Sequence, residues 1–166
     1  MAGQSPNFDW SVLSTLLSSS SPIPGDVKFN VMDQEDKVVA TLEAHKIILA
    51  LHSDHFKNAF FGSGTLFKLE DNTVEIKETT KEAFEDYVGF NYEKRIKFEK
   101  KNLEELYEIL NLAERYQVKE LKDRVSDFIK NFPLSIENVA KVAATACEFP
   151  QFAEGSQELY AKCVTY

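Results

Sequence analysis

The chain has 166 residues, 43% of them hydrophobic and 12% aromatic, including thirteen Phe, so it is long and apolar enough to bury a real core and most of it is not disordered. Its formal net charge of −8 leaves no overall basic footprint of a nucleic-acid binder, and a polybasic membrane-surface patch is not expected. No apolar run reaches membrane-spanning length, and residues 1–7 lack the charged and apolar regions of a secretory leader, so cytosol or nucleus is expected, with Cys147 and Cys163 as reduced thiols.

In chain order, residues 1–25 read as a separate segment. Phe8, Trp10, Val12, Leu13, Leu16 and Leu17 suit a short amphipathic helix, and the Ser/Pro/Gly-rich stretch 18–25 reads as a linker. Val27, Phe29 and Val31 alternate with polar residues, 33–36 is a polar turn, and Val38, Ala40 and Leu42 resume the alternation, which predicts a β-hairpin. Residues 45–51 are apolar on all sides and predict one or two buried helical turns. Ser53 is placed to cap a helix over 54–61 with Phe56, Ala59 and Phe60 on one face, ended by the glycines at 62 and 64. Val74 and Ile76 predict a short strand.

Thr79 and Glu82 have capping-box spacing before a helix carrying Ala83, Phe84, Tyr87, Val88 and Asn91. Residues 96–98 are a possible strand. Asn102 and Glu105 repeat the cap spacing ahead of Leu103, Leu106, Tyr107, Leu110 and Ala113 at helical period. Val118, Leu121, Val125, Phe128, Ile129 and Phe132 form the cleanest stripe in the chain, stopped by Pro133. Ser135 is placed to cap a further helix with Ile136, Val139, Val142, Ala143 and Ala146 inward, and a last helix is predicted over about 151–165. The pattern is α+β: a small β-sheet flanked by a cluster of helices, plus two C-terminal helices.

Catalytic chemistry finds little footing. His52 and His55 have a spacing that a metal on a helix could use, but a zinc site needs three or four ligands and no Cys lies near. There is no Gly-x-Ser-x-Gly and no Gly-rich phosphate loop, and the carboxylates sit at i, i+3 and i+4 from lysines as solvated helix faces do. No enzyme activity, metal or cofactor is therefore expected. What remains is interaction: Phe56, Phe60, Phe61, Leu66, Phe67 and Leu69 crowd a Gly-interrupted stretch, either folded back on the core or exposed for a partner.

The order of these features resembles the BTB/POZ family over about residues 26–132. Gly25-Asp26-Val27 opens a strand, and Ala44-His45-Lys46 leads into an apolar helix. Ser53-x-x-Phe56-x-x-x-Phe60 is similar to the family's next helix, and Leu112-Ala113-Glu114-Arg115-Tyr116 with Leu121 is similar to its helix–turn–helix. Residues 133–166, from Leu134-Ser135-Ile136-Glu137-Asn138-Val139, look like the three-box or partial BACK-type helices found in speckle-type POZ proteins. The resemblance implies a BTB/POZ fold and a homodimer in which an N-terminal helix crosses to the partner, with Leu13, Leu16 and Leu17 as its apolar face and Asp26 and Lys46 lining a central pocket. It also implies a cullin-3 ubiquitin-ligase scaffold as partner, held by Phe60, Leu66, Phe67, Leu69 and Glu70 together with Ile136 and Val139, and an unknown substrate protein. Two departures stand out. Lys68 occupies the place of the family's Glu in the loop before Val74, and the helix over 102–116 looks a few residues longer than usual. The alternative reading is a self-assembling module that recruits a transcriptional co-regulator without cullin.

Overall fold

The computed structural model describes residues 13, 15–17, 21, 23–62, 70–148 and 153–166, with residue 70 and residues 153–155 described in backbone only. The chain forms two compact units, residues 1–96 and 97–166.

The first unit is built on the predicted hairpin. Strand β1 (Val27–Met32) pairs antiparallel with β2 (Val38–Ala44), Val27 opposite Ala44 and Phe29 opposite Leu42, with a bulge where Met32 meets Val38. The turn between them closes on Asp33, whose Oδ1 accepts the N–H groups of Glu35 and Lys37 at 2.8 and 2.9 Å. Strand β3 (Thr73–Ile76) lies parallel to β1 on its other side, so the sheet order is β2-β1-β3 with β1 central. The central position buries both faces of β1 unevenly: Val27, Phe29 and Val31 point into the core while Lys28 stays exposed.

Helices α1 (Lys46–His52), α2 (Asp54–Phe61) and α3 (Lys81–Glu93) complete this unit. Phe29, fully buried, meets Phe56 of α2 at 5.7 Å and Phe84 of α3 at 5.3 Å between ring centroids. Ser53 caps α2 by accepting the N–H of Phe56 at 3.0 Å. Gly62 ends α2 with φ −71°, not in the left-handed region; a Cβ there would collide with the carbonyl oxygen of Asn58. Two expectations are corrected here. Thr80, not Thr79, is the N-cap of α3, accepting the N–H of Ala83 at 3.3 Å, because the helix begins one residue later than the capping-box spacing implies. Helix α1 is not apolar-buried all round: Ile48 and Leu49 are buried, but Ile47 and Leu51 are 58% and 64% exposed.

The second unit opens with a 3₁₀ turn over Phe98–Lys100 in place of the expected strand at 96–98. The left-handed Lys94 (φ 56°) ends α3 just before, and the turn closes through Lys100 N–H to the Lys97 carbonyl at 3.1 Å. Phe98 is therefore used as a packing side chain, 5.5 Å from Phe128. Helices α4 (Leu103–Arg115), α5 (Lys119–Lys130), α6 (Val139–Glu148) and α7 (Ala153–Thr165) follow. α4 packs against α5 and α6, and α7 packs against α5 and α6. The capping box expected at Asn102 is present in both directions: Glu105 N–H donates to Asn102 Oδ1 at 2.9 Å, and Asn102 N–H to Glu105 Oε2 at 2.8 Å. Leu103, Leu106, Tyr107, Leu110 and Ala113 are all buried, as their spacing predicts.

Candidate interaction surfaces

Near the first helix, Asp26 and Lys46, which the resemblance singles out, meet through a side chain and a backbone N–H, not through their opposed charges. Asp26 Oδ1 accepts the backbone N–H of Lys46 at 2.7 Å, so the carboxylate serves one of the free donors at the start of α1 from twenty residues away. The Lys46 ammonium turns instead to Asn72 Oδ1 at 2.6 Å and lies 5.8 Å from the Phe60 ring centroid. Gly25 permits this approach: a Cβ there would sit 2.8 Å from the carbonyl oxygen of Ala44.

His45 holds the same corner from inside. Its backbone N–H donates to the Tyr92 hydroxyl at 2.7 Å, and its Nδ1 lies 2.9 Å from that hydroxyl. The Ile23 carbonyl facing Nε2 can only accept, so in a neutral ring Nδ1 is the acceptor and the Tyr92 hydroxyl, which accepts the backbone N–H, donates to it. The ring hydrogen is then on Nε2, where it reaches the Ile23 carbonyl at 3.3 Å and ties the linker to the core. Burial pushes the Tyr92 phenol up to about 12.

Beside this corner the surface is apolar. Ile47 and Leu51, one helical turn apart on α1, are exposed, and Phe61 at the end of α2 is 58% exposed. Phe60 is half-buried, stacked on Phe56 at 5.2 Å. The sequence reading missed Ile47 and Leu51 because a helix apolar on every side reads as core; Phe61 belonged to the stretch expected either to fold back or to be exposed, and it is exposed.

The predicted N-terminal contact residues are placed in part. Leu13 is helical, Thr15–Leu17 is a 3₁₀ turn that packs on β2 of its own chain, and Leu13, Leu16 and Leu17 are half-buried. Leu16, Leu17, Ile23, Leu42 and Val88 line an open cleft of about 520 Å³ there. Phe8, Trp10 and Val12 lie outside the described residues, as do Leu66, Phe67, Lys68 and Leu69. Only the backbone of Glu70 is described, in a 3₁₀ turn with Asn72.

In the second unit the cap at Ser135 forms. Its hydroxyl accepts the Asn138 N–H at 3.3 Å, and Asn138 Oδ1 accepts the Ser135 N–H at 2.8 Å. The cap closes a turn, and α6 starts only at Val139. Ile136 therefore lies ahead of the helix and is 88% exposed, which corrects its expected place on the inner face. Val139 is half-buried, and Val142 and Ala146 are buried. A small apolar cleft of about 170 Å³ lies between Leu103, Phe132 and Val142, and the Glu104–Lys141 ion pair of 3.1 Å is formed by residues lining it.

No group of three or more His, Cys, Asp or Glu is placed to hold a metal among the described residues. His52 closes α1 and His55 stands in the first turn of α2, so their spacing spans a helix break at Ser53 and not one helix face. Among the described residues no helix is long and apolar enough to cross a membrane.

A small mixed sheet with a parallel third strand, a cluster of short helices and exposed apolar side chains on two of them define an α+β protein–protein interaction module. The BTB/POZ domain profile matches residues 15–133, and the chain belongs to that family. It is 30% identical to human BTB/POZ domain-containing protein 9 over 115 residues, 69% of this chain and 18% of that protein. It is 33% identical to human Kelch-like protein 7 over 100 residues, 60% of this chain and 16% of that protein. The chain thus spans less than a fifth of the length of these relatives. Among solved structures it is similar to the BTB domain of zebrafish PATZ1, with a TM-score of 0.58 and 19% identity over 79% of this chain and 98% of that domain, a likeness of fold.

Proposed function

We propose that this chain is a non-enzymatic adaptor that forms a homodimer and binds a cullin-3 ubiquitin-ligase scaffold, with residues 26–132 as the BTB/POZ domain and 133–166 as a three-box or partial BACK segment. The observation that carries the reading is the apolar surface on α1 and α2. Ile47, Leu51 and Phe61 are each more than half exposed beside the Asp26–Lys46 corner, and exposed apolar clusters of this kind mark interaction sites. An isologous contact through α1, supported by Leu13, Leu16 and Leu17, is the dimer interface. Phe60, Leu66, Phe67, Leu69 and Glu70, with Ile136 and Val139, are the proposed cullin contacts. A few anchor residues, aromatic ones above all, carry most of the energy of such interfaces, and the exposure of Ile136 leaves it accessible to a partner. The working compartment is cytoplasm or nucleus, and the recruited substrate is a further protein.

A second reading rests on Lys68, which stands where the family's cullin-binding loop has Glu. On that reading the chain self-associates and recruits a transcriptional co-regulator. Calorimetric titration with the N-terminal domain of cullin-3 separates the two. The adaptor reading expects binding by the wild type, weakened by about 1–3 kcal/mol in Phe67→Ala and in Ile136→Asp, with the fold retained. No heat with the wild type would leave the self-assembly reading in place.

A further inference from the structure

Residues 94–101 read Lys-Arg-Ile-Lys-Phe-Glu-Lys-Lys: five cations and one acid in eight residues of a chain whose net charge is −8. The run carries +4, so the remainder of the chain carries −12. Elsewhere lysines are mostly engaged. Lys28, Lys77, Lys81, Lys122, Lys130 and Lys141 each face a carboxylate within 3.6 Å. Within the run, Lys94 is buried against Phe90, and Lys101 pairs with Glu105 at 3.8 Å. Lys97 and Lys100 are exposed and meet no carboxylate among the described residues.

The local backbone puts these two together. The Lys100 N–H to Lys97 carbonyl bond closes a 3₁₀ turn, in which side chains three residues apart fall on one side. Glu99 is off that register. Phe98, packed on Phe128, anchors the turn so that the ammonium pair is held outward from a fixed base.

We propose that the Lys97–Lys100 turn is a docking point for a carboxylate-rich segment of a partner protein. The charge balance selects this ligand. A long polyanion such as nucleic acid, or an anionic membrane, would also meet the −12 carried by the rest of the chain. A short acidic segment confined to the turn feels mainly the local cations, because screening limits the reach of the rest to about 8 Å at physiological salt. Pairing with exposed lysines contributes modest energy per contact, so the turn supplies orientation and fast association, and it acts together with an apolar contact elsewhere on the partner.

The test is fluorescence anisotropy with a labelled octaglutamate peptide at physiological salt, where the charge of the rest of the chain is screened. It uses the full chain, the double variant Lys97→Ala/Lys100→Ala, and a control variant Lys57→Ala/Lys119→Ala at two other exposed lysines. The expectation is binding by the wild type and the control that agree within about twofold, weakened about three- to tenfold in the turn variant and lost at high salt. All three proteins should melt alike, since neither lysine of the turn supports the fold. Equal affinity of the turn variant and the wild type, no binding to the wild type, or tighter binding of a single-stranded DNA octamer than of the peptide would each overturn the proposal.

Discussion

Replacing Tyr92 by Phe isolates the polar centre of the first unit. The hydroxyl is buried, with Tyr92 0% and His45 8% exposed, and it serves two groups of His45 at 2.7 and 2.9 Å. Removing it leaves the backbone N–H without an acceptor and Nδ1 without a donor, while the ring of Phe fills the same space. Each buried polar group left unpaired costs about 1–3 kcal/mol, so with two of them the variant should lose about 2–6 kcal/mol, more than the removed oxygen itself contributes. Helical circular dichroism followed through a urea titration measures this, with the midpoint falling at unchanged slope. Tyr160→Phe, at an exposed site on α7, is the control and should change stability by less than about 0.5 kcal/mol. The variant should also release the hold of Nε2 on Ile23, so limited proteolysis should cut more readily near residues 20–25. A Tyr92→Phe loss below about 0.5 kcal/mol would refute the reasoning, because two orphaned buried groups cannot be that inexpensive.

Four other outcomes follow from the same geometry. Tyr92 is raised by burial to about 12, and Tyr107 and Tyr116 are raised in the same direction. The unfolded phenols ionise first, so their contribution is complete below about pH 10 and is lost from there to pH 12, by on the order of 2–3 kcal/mol for Tyr92. Urea midpoints at pH 9 and pH 11 check this, and a flat profile would contradict it. Cys163 is buried, with its thiol raised by desolvation, while Cys147 is exposed, so a chromogenic disulfide reagent should titrate one thiol quickly in the folded protein and two in urea. Asn102→Ala should cost about 1 kcal/mol in urea unfolding through loss of the α4 cap. Phe29→Ala, which empties the space between Phe56 and Phe84, should cost about 3–5 kcal/mol in the same assay.

The fold was largely legible because its elements are local and strongly patterned. The alternation of Val27, Phe29 and Val31, the reciprocal spacing of Asn102 and Glu105, and the stripe from Val118 to Ile129 each carry their own geometry, and each forms as read. The parallel pairing of β3 with β1 was not legible, since parallel register depends on distant chain and not on local pattern. Residues 96–98 misled because β-branched and aromatic residues suit strands only where an edge is free to pair; here Phe98 packs on Phe128 from a 3₁₀ turn. Ile136 misled because Ser135 caps a turn before it caps a helix, and the helical phase starts three residues later than the cap suggested. Of the candidate surface residues, Asp26 and Lys46 do meet, through a backbone N–H and not through opposed charges. The exposed faces of Ile47 and Leu51 could not be separated from core by hydropathy alone, because an aliphatic residue reads the same in sequence whether it is buried or exposed.

The most direct test of the adaptor account is light scattering, at micromolar concentration, of this chain alone and mixed with the N-terminal domain of cullin-3. The account predicts twice the chain mass alone, and a complex of two chains with two cullin domains in the mixture. A species at the mass of one chain, unchanged by added cullin domain, would contradict it.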